Sequence, residues 1–394
     1  MKRRNFLRSG LAGAAGLAVL DRKTLAGEIN RGNDAIIYRT LGRTGLKIPV
    51  VSFGVMRSDN SALVKAGYDG GITMFDTAHG YMNGRNEEML GNFFTSVPRD
   101  SFILATKVKP AGVDSRTGLP SKETTAADFL ARFDLSLQRL KMEYVDILYM
   151  HSADSVEMVR HKEIVNTMLD LKKSGRVRFI GISTHKNEPL VINTMAEDGI
   201  WDVVLTSYNF KQTYLSEMNS ALEAAGNAGI GVVAMKTMAG GWLDKEKTRA
   251  VNPGAALKWV LSNRNVNTTV PGITAFDHLT ADLRVMTDIT LTSAEKDELI
   301  AGVACQGLYC NACSSCLPGC RNNLPVPELM RAYMYAYGYG NLRMASELIS
   351  ENDVKSDPCA GCDECKTVCV KGFNLKEKIS DISRLASVPL DLLA

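Results

Sequence analysis

Residues 72–81 read ITMFDTAHGY. The uncharged run Ile72–Phe75 ends on Asp76 and gives way to a glycine-bearing loop that carries Tyr81. A short run rich in β-branched and aromatic residues between turn signals predicts a strand, here over residues 73–77. The same pattern recurs along the chain, and strands are predicted at 48–55, 102–108, 145–151, 178–183, 203–208, 231–236 and 268–272. The stretches between them carry helical spacing, for example Ala127, Leu130, Phe133, Leu135, Leu137 and Leu140. Eight strands, each followed by a helix, predict an α/β fold, a (β/α)8 TIM barrel over residues 36–302. A doubly wound open sheet would carry a glycine-rich phosphate loop after its first strand, and none follows SFGVM at 52–56.

Barrel chemistry gathers at the C-terminal ends of the strands. The second strand ends in Asp76 with Tyr81 in the following loop, the third in Lys107, the fourth in His151. A free tyrosine, with a pKa of about 10, gives up its proton poorly at neutral pH. A neighbouring lysine ammonium is expected to lower that pKa, and a buried Asp76 to hold the lysine charged. His151 is expected to donate a hydrogen bond to a substrate oxygen. The four make a general acid and a polarising site for a carbonyl, or the reverse for an alcohol.

Here the chain resembles the aldo-keto reductase family. The resemblance rests on YRTLGRTGLKIPVVSFGVM, GITMFDTAHGYMNGRNEEMLG, ATKVKP, YVDILYMHSAD and KKSGRVRFIGIST, and it covers residues 37–290. It implies that Tyr81 is the proton donor, that Lys107 and Asp76 tune it, and that His151 orients the carbonyl. The implied reaction is reversible hydride transfer between a nicotinamide cofactor and a carbonyl. Implied cofactor contacts are Met56, Arg57, Ser183, Thr184, Lys236, Gly272 and Thr274. Thr184 replaces the family's usual Asn, Leu205 a Gln, and Met235 a stacking aromatic. The segment 271–275, PGITA, lacks the Lys or Arg that grips a 2′-phosphate, so NADP and NAD both stay open. These patterns resemble the iron–sulfur-bearing branch of the family.

The chain has 394 residues, 45% hydrophobic and 23% charged. That composition excludes a disordered chain, a collagen-like chain and a polytopic membrane protein. All nine cysteines lie from Cys305 onward. Eight of them form one pattern used twice: Cys310, Cys313, Cys316, Cys320, then Cys359, Cys362, Cys365, Cys369. This C-x2-C-x2-C-x3-C spacing is that of bacterial ferredoxins, in which the fourth cysteine ligates the other cluster. Two [4Fe–4S] clusters are expected. One is assigned to Cys310, Cys313, Cys316 and Cys369, the other to Cys359, Cys362, Cys365 and Cys320. The usual proline after the fourth cysteine is replaced by Arg321 and Val370. Zinc and disulfides are the alternatives. Residues 303–394 are expected to form a mostly helical, ferredoxin-like domain. Cys305 is expected to be a buried small hydrophobe, and Tyr333, Tyr335, Tyr337 and Tyr339 to shield the clusters.

The N-terminus opens MKRRNFLRSGLAGAAGLAVL. Basic residues precede an uncharged run that would span roughly 18 Å as a helix, short of the ~30 Å hydrocarbon core. Residues 1–27 therefore read as an export signal, and Arg3-Arg4 resembles the twin-arginine type, whose substrates cross folded. A periplasmic or otherwise exported location is expected, with no transmembrane anchor after processing. Residues 1–26 carry a net +5 of the chain's +3, so the remainder is slightly acidic and offers no nucleic-acid surface.

The function expected is an exported oxidoreductase acting on a small carbonyl or alcohol, with electrons relayed through the clusters to a redox partner protein. Two alternatives stand beside it. One is an electron-transfer subunit whose barrel only docks a partner; the other is a plain carbonyl reductase with structural clusters. The loop at 111–124 and the segment around Trp242 are expected to line the pocket.

Overall fold

The computed structural model describes residues 35–362 and 364–393. The segment read as an export signal, residues 1–27, lies outside the described residues. The described chain opens with a hairpin in which β1 (Tyr38–Thr40) pairs antiparallel with β2 (Lys47–Pro49). Leu41 and Ile48 of this hairpin are fully buried, in one cluster with Met74, Ile103, Ile147, Tyr149, Val203 and Val233. The hairpin thus plugs the N-terminal end of the barrel. Its Gly42 adopts φ 47, and a Cβ there would stand 2.3 Å from the Gly231 nitrogen, so only glycine fits.

The barrel strands are β3 (Phe53–Gly54), β4 (Met74–Asp76), β5 (Ile103–Val108), β6 (Val145–Met150), β7 (Val177–Thr184), β8 (Val203–Ser207), β9 (Gly231–Met235) and β10 (Thr268–Thr269). Neighbours in sequence are parallel neighbours in the sheet. Bridges between Val51 and Thr269 and between Gly54 and Gly272 join the first strand to the last and close the ring. The TIM-barrel expectation holds.

The strand expected over 48–55 is divided. Its first part belongs to the hairpin, and only Phe53–Gly54 forms a regular barrel strand. Pro49 has no N–H for a ladder, and Ser52 bonds sideways through its hydroxyl to Thr268 Oγ1 at 2.8 Å. The strand expected over 231–236 stops at Met235, because Lys236 turns out of the sheet at φ 57.

The outer layer comprises α1 (Ser61–Asp69), α2 (Arg85–Phe94), α3 (Ala126–Leu140), α4 (Val156–Val159), α5 (Lys162–Lys173), α6 (Glu188–Asp198), α7 (Leu215–Asn227), α8 (Pro253–Leu261), α9 (Phe276–Val285) and α10 (Ser293–Val303). Helix α3 shows how the sequence sets them. Thr125 caps it by accepting from the Asp128 N–H, and Lys141 ends it at φ 55. Its stripe of Phe129, Phe133, Leu137 and Leu140 is buried, each side chain contributing about 1.5–3 kcal/mol.

Beyond the barrel come α11 (Val326–Tyr337), α12 (Leu342–Glu351) and α13 (Leu375–Ser383), with one cysteine loop at 310–320 before α11 and the other at 359–369 between α12 and α13. Leu329, Met330 and Ala332 of α11 share one apolar cluster with Phe210, Ala239, Leu243 and Val251 of the barrel rim. Residues 36–394 accordingly form one compact unit. No described helix is long and apolar enough to cross a membrane.

Candidate active site

The four residues expected at the strand ends converge on the barrel mouth. Lys107 Nζ donates to Asp76 Oδ1 at 2.6 Å, to the Thr77 carbonyl at 2.6 Å and to Tyr81 Oη at 3.2 Å. It also lies 4.6 Å from the Tyr81 ring centre. The Tyr81 and His151 rings meet edge-on with centres 6.1 Å apart. The backbone is forced at each of these points. Met82 and Asn83, directly after Tyr81, take φ 52 and 55, and Ser152, directly after His151, takes φ 56. Left-handed non-glycine residues are uncommon and cluster at functional sites.

Burial decides the electrostatics. For Lys107, burial works downward, but Asp76 and Tyr81 outweigh it and leave the ammonium above its ordinary value. The lysine is charged. His151 is held well below its ordinary value, by burial first and by Lys107 and Lys109 next, so it is a neutral imidazole. Tyr81 departs from the expectation. Burial pushes its phenol up, Lys107 pulls it down, Asp76 pushes it up again, and the net shift is upward. The lysine therefore does not make Tyr81 a ready acid in the free site. Tyr81 keeps its proton until negative charge develops beside it.

The expected cofactor contacts divide. Ser183 Oγ accepts from the Ser152 N–H at 3.1 Å at the rim. Thr184 is spent on structure: its hydroxyl bonds Asp154 Oδ1 and the Lys186 carbonyl, both at 2.8 Å. Its hydroxyl is thus held within the fold. Arg57 lies across Gly272, its Cδ 3.4 Å from where a Cβ would stand, and Thr274 Oγ1 meets His278 Nδ1 at 3.2 Å. Met56 packs against the cluster shared with the C-terminal helices. Lys236 Nζ donates to Tyr335 Oη at 2.8 Å.

Tyr335, expected beside the clusters, stands at the barrel mouth instead. Helix α11 crosses the mouth with one face toward the barrel. Glu328 pairs with Lys186 at 2.6 Å, Arg331 pairs with Glu328, and Tyr335 bonds Lys236. Just past the helix, the Tyr339 carbonyl accepts from Arg57 Nη2, and the Arg57 guanidinium lies 4.9 Å from the Tyr339 ring. The spacing 328, 331, 335 is a helical stripe and was readable as such; its partner was not. Burial alone would raise the Tyr335 phenol, but Lys236 and Arg331 outweigh it and leave it below its ordinary value. The expected loop at 111–124 touches both parts: the Ser115 carbonyl accepts from Lys186 of the barrel, and Arg116 Nη2 reaches the Leu317 carbonyl of the C-terminal segment at 3.4 Å.

The cysteines line two cavities. One is walled by Cys310, Cys313, Cys316 and Cys369, with Val326, Phe373 and Leu375. The other is walled by Cys320, Cys359, Cys362 and Cys365. Each cavity draws three thiols from one loop and the fourth from the other. Among the described residues no three His, Cys, Asp or Glu side chains stand close enough to share a single metal ion. Four thiols around each cavity are a donor set that iron–sulfur clusters and zinc share. Burial pushes the Cys310 thiol up to about 12 and Cys316 to about 11. None of the four tyrosines at 333–339 lines either cavity, but all four belong to or pack against the apolar cluster that holds Cys316 and Cys359. Cys305 is corrected too: it is only partly buried, and its sulfur accepts from Arg249 Nη2 at 3.0 Å.

Comparison with known proteins agrees with the barrel. The aldo/keto reductase family model matches residues 51–256 and stops before the cysteine-bearing segment. L-glyceraldehyde 3-phosphate reductase of Escherichia coli O157:H7 is 24% identical over 328 residues, covering 68% of this chain and 92% of that protein. L-galactose dehydrogenase of Arabidopsis thaliana is 27% identical over 313 residues, 67% of this chain and 92% of that one. Among solved structures, an aldo-keto reductase of Bacillus halodurans in its holo form superposes with a TM-score of 0.55 at 22% identity, over 68% of this chain and 96% of that one. With the family matched over more than half its length, the chain belongs to the aldo/keto reductase family and is an oxidoreductase.

Proposed function

We propose that the chain is an exported aldo-keto reductase that transfers hydride between a nicotinamide dinucleotide and a small carbonyl or alcohol, with electrons relayed through two [4Fe–4S] clusters to a redox partner protein. The observation that carries this reading is Lys107 Nζ bonded at once to Asp76 Oδ1 and Tyr81 Oη beside a neutral His151. Export rests on the N-terminal sequence, and the clusters rest on the fourfold cysteine lining of each cavity.

The nicotinamide, when bound, supplies or accepts the hydride. In the reducing direction His151 donates a hydrogen bond to the carbonyl oxygen, and Tyr81 Oη delivers its proton as that oxygen becomes negative. The phenolate left behind is held by Lys107, whose charge Asp76 secures. In the oxidising direction Tyr81 takes the proton back. Arg57, Lys236, Gly272 and Thr274 ring the mouth where a dinucleotide would lie. The clusters would supply single-electron steps, with Cys310, Cys313, Cys316 and Cys369 holding one and Cys320, Cys359, Cys362 and Cys365 the other. NADP and NAD both remain within this reading. The chain contacts no nucleic acid under it.

A second reading, a barrel that only docks a partner, draws support from α11 lying over the mouth with Tyr335 on Lys236. Replacing Tyr81 by Phe separates the two. Under hydride transfer Tyr81→Phe removes the donor and lowers turnover by roughly 100-fold or more while the cluster absorbance stays. Unchanged turnover removes the tetrad from the mechanism.

A further inference from the structure

A cavity of about 410 Å³ lies between the barrel rim and α12, within the roughly 300–1,000 Å³ range of small-molecule sites. Its wall brings together three arginines from distant parts of the chain: Arg57 after β3, Arg85 on α2 and Arg343 on α12. Thr274, from the loop after β10, adds a hydroxyl.

The arginines stand where local preference opposes them. Arg85 is the first residue of α2 and Arg343 the second of α12. Both helix starts carry partial positive charge; α2 answers it with Glu87 and Glu88, neither of which lines the cavity, whereas the first turn of α12 has no acidic residue, so Arg343 there is unfavourable unless something negative joins it. Arg57 is more demanding. Its Nε is buried with no hydrogen-bond partner, and no carboxylate pairs with it among the described residues. Its guanidinium is satisfied only by the Tyr339 carbonyl and ring. A buried cation without a counter-charge is costly to keep.

Two carboxylates share the wall, Asp59 and Glu347. Glu347 accepts from Arg343 Nε at 3.2 Å, which leaves the outer edge of that guanidinium fork open. Three guanidiniums against two carboxylates, with two helix starts beside them, leave the cavity positive. Arginine forks match the oxygens of a phosphate bidentately, and several can share one phosphate.

We propose that this cavity binds a phosphomonoester. Two sources share that chemistry: the 2′-phosphate of the dinucleotide and a phosphate on the substrate. The 2′-phosphate grip missing from residues 271–275 would then be supplied by Arg57, Arg85 and, from the C-terminal segment, Arg343. The first source rests on the nicotinamide reading above; the cavity's chemistry does not.

The test uses the full chain purified without oxygen and inorganic phosphate as the probe, titrated calorimetrically at constant ionic strength against chloride. Wild type is compared with Arg343→Met and Arg85→Gln, each checked for unchanged cluster absorbance and circular dichroism. The expected result is saturable phosphate binding that weakens about tenfold in each variant. NADPH and NADH titrations then separate the sources. If phosphate competes with NADPH but not NADH, and Arg343→Met weakens NADPH alone, the cofactor is the source. If phosphate leaves both cofactors undisturbed, the substrate is the source. If neither cofactor binds while phosphate still binds through the arginines, the nicotinamide reading fails and the cavity assignment stands. No saturable phosphate binding, or binding equal in wild type and both variants, overturns the proposal.

Discussion

Replacing Glu328 by Gln should loosen α11 from the barrel mouth. Glu328 and Lys186 face each other at 2.6 Å with side chains 5% and 4% exposed, and Arg331 shares the same carboxylate. At that distance an effective dielectric of about 20 gives roughly 6 kcal/mol of attraction. Desolvation offsets much of this when the pair forms, but removing Glu328's charge leaves Lys186 buried without that counter-charge. Breaking a buried pair in this way costs about 3–5 kcal/mol. If α11 opens locally, amide exchange across residues 330–337 should rise roughly 100- to 3,000-fold at fixed pH, since each 1.4 kcal/mol is tenfold. Hydrogen exchange followed by mass spectrometry reads this directly. The triple variant Lys186→Met, Glu328→Leu and Arg331→Leu should recover most of the protection, because apolar replacement of all three ions is close to neutral. Exchange in α11 within about threefold of wild type, or a triple variant as open as the single one, would refute the clamp.

Three further outcomes are expected. Glu188 is pushed up to about 8 by burial, from an ordinary 4.5, so between those values the folded chain keeps a proton that the unfolded chain has released. Stability should fall by up to about 1.4 kcal/mol per pH unit through that window, and Glu188→Gln should flatten the pH dependence of the thermal midpoint. Thr184→Ala should cost about 0.5–1.5 kcal/mol of stability, since it removes one of two donors to Asp154 Oδ1 and leaves the His185 N–H; lost nicotinamide affinity at unchanged stability would place Thr184 in the cofactor site. Cys310→Ser and Cys369→Ser should remove the same paramagnetic signal, and Cys320→Ser should match Cys365→Ser. Pairing by loop instead, with Cys320 following Cys310, would show that the cysteines are not shared crosswise.

Much of the barrel was legible because its strands are short apolar runs with polar residues at their ends. Asp76, Lys107 and His151 each stand at a strand end, and the parallel order brings them together without further information. The first strand was misread because an apolar run does not say where a hairpin stops; Ser52 bonding to Thr268 is a contact across more than two hundred residues. The Tyr81 phenol was misjudged for a related reason. A lysine neighbour can be inferred from strand order, but the burial that outweighs it comes from packing that includes the C-terminal segment. Arg331, Tyr335 and Tyr339 belong to that packing. Their helical stripe is visible in the sequence, yet only the docked fold shows that it faces Lys186, Lys236 and Arg57. The cysteines were the opposite case, since their spacing alone predicted which four thiols would wall each cavity.

The central claim is that a nicotinamide-dependent barrel and two clusters work in one chain. The most direct measurement is to purify the protein without oxygen, denature it, assay released nicotinamide, iron and sulfide, and titrate the intact protein with NADPH and NADH. The account predicts about eight iron and eight sulfide per chain, with nicotinamide either released on denaturation or bound tightly when added. Stoichiometric iron with no released nicotinamide and no binding of either added cofactor would contradict it.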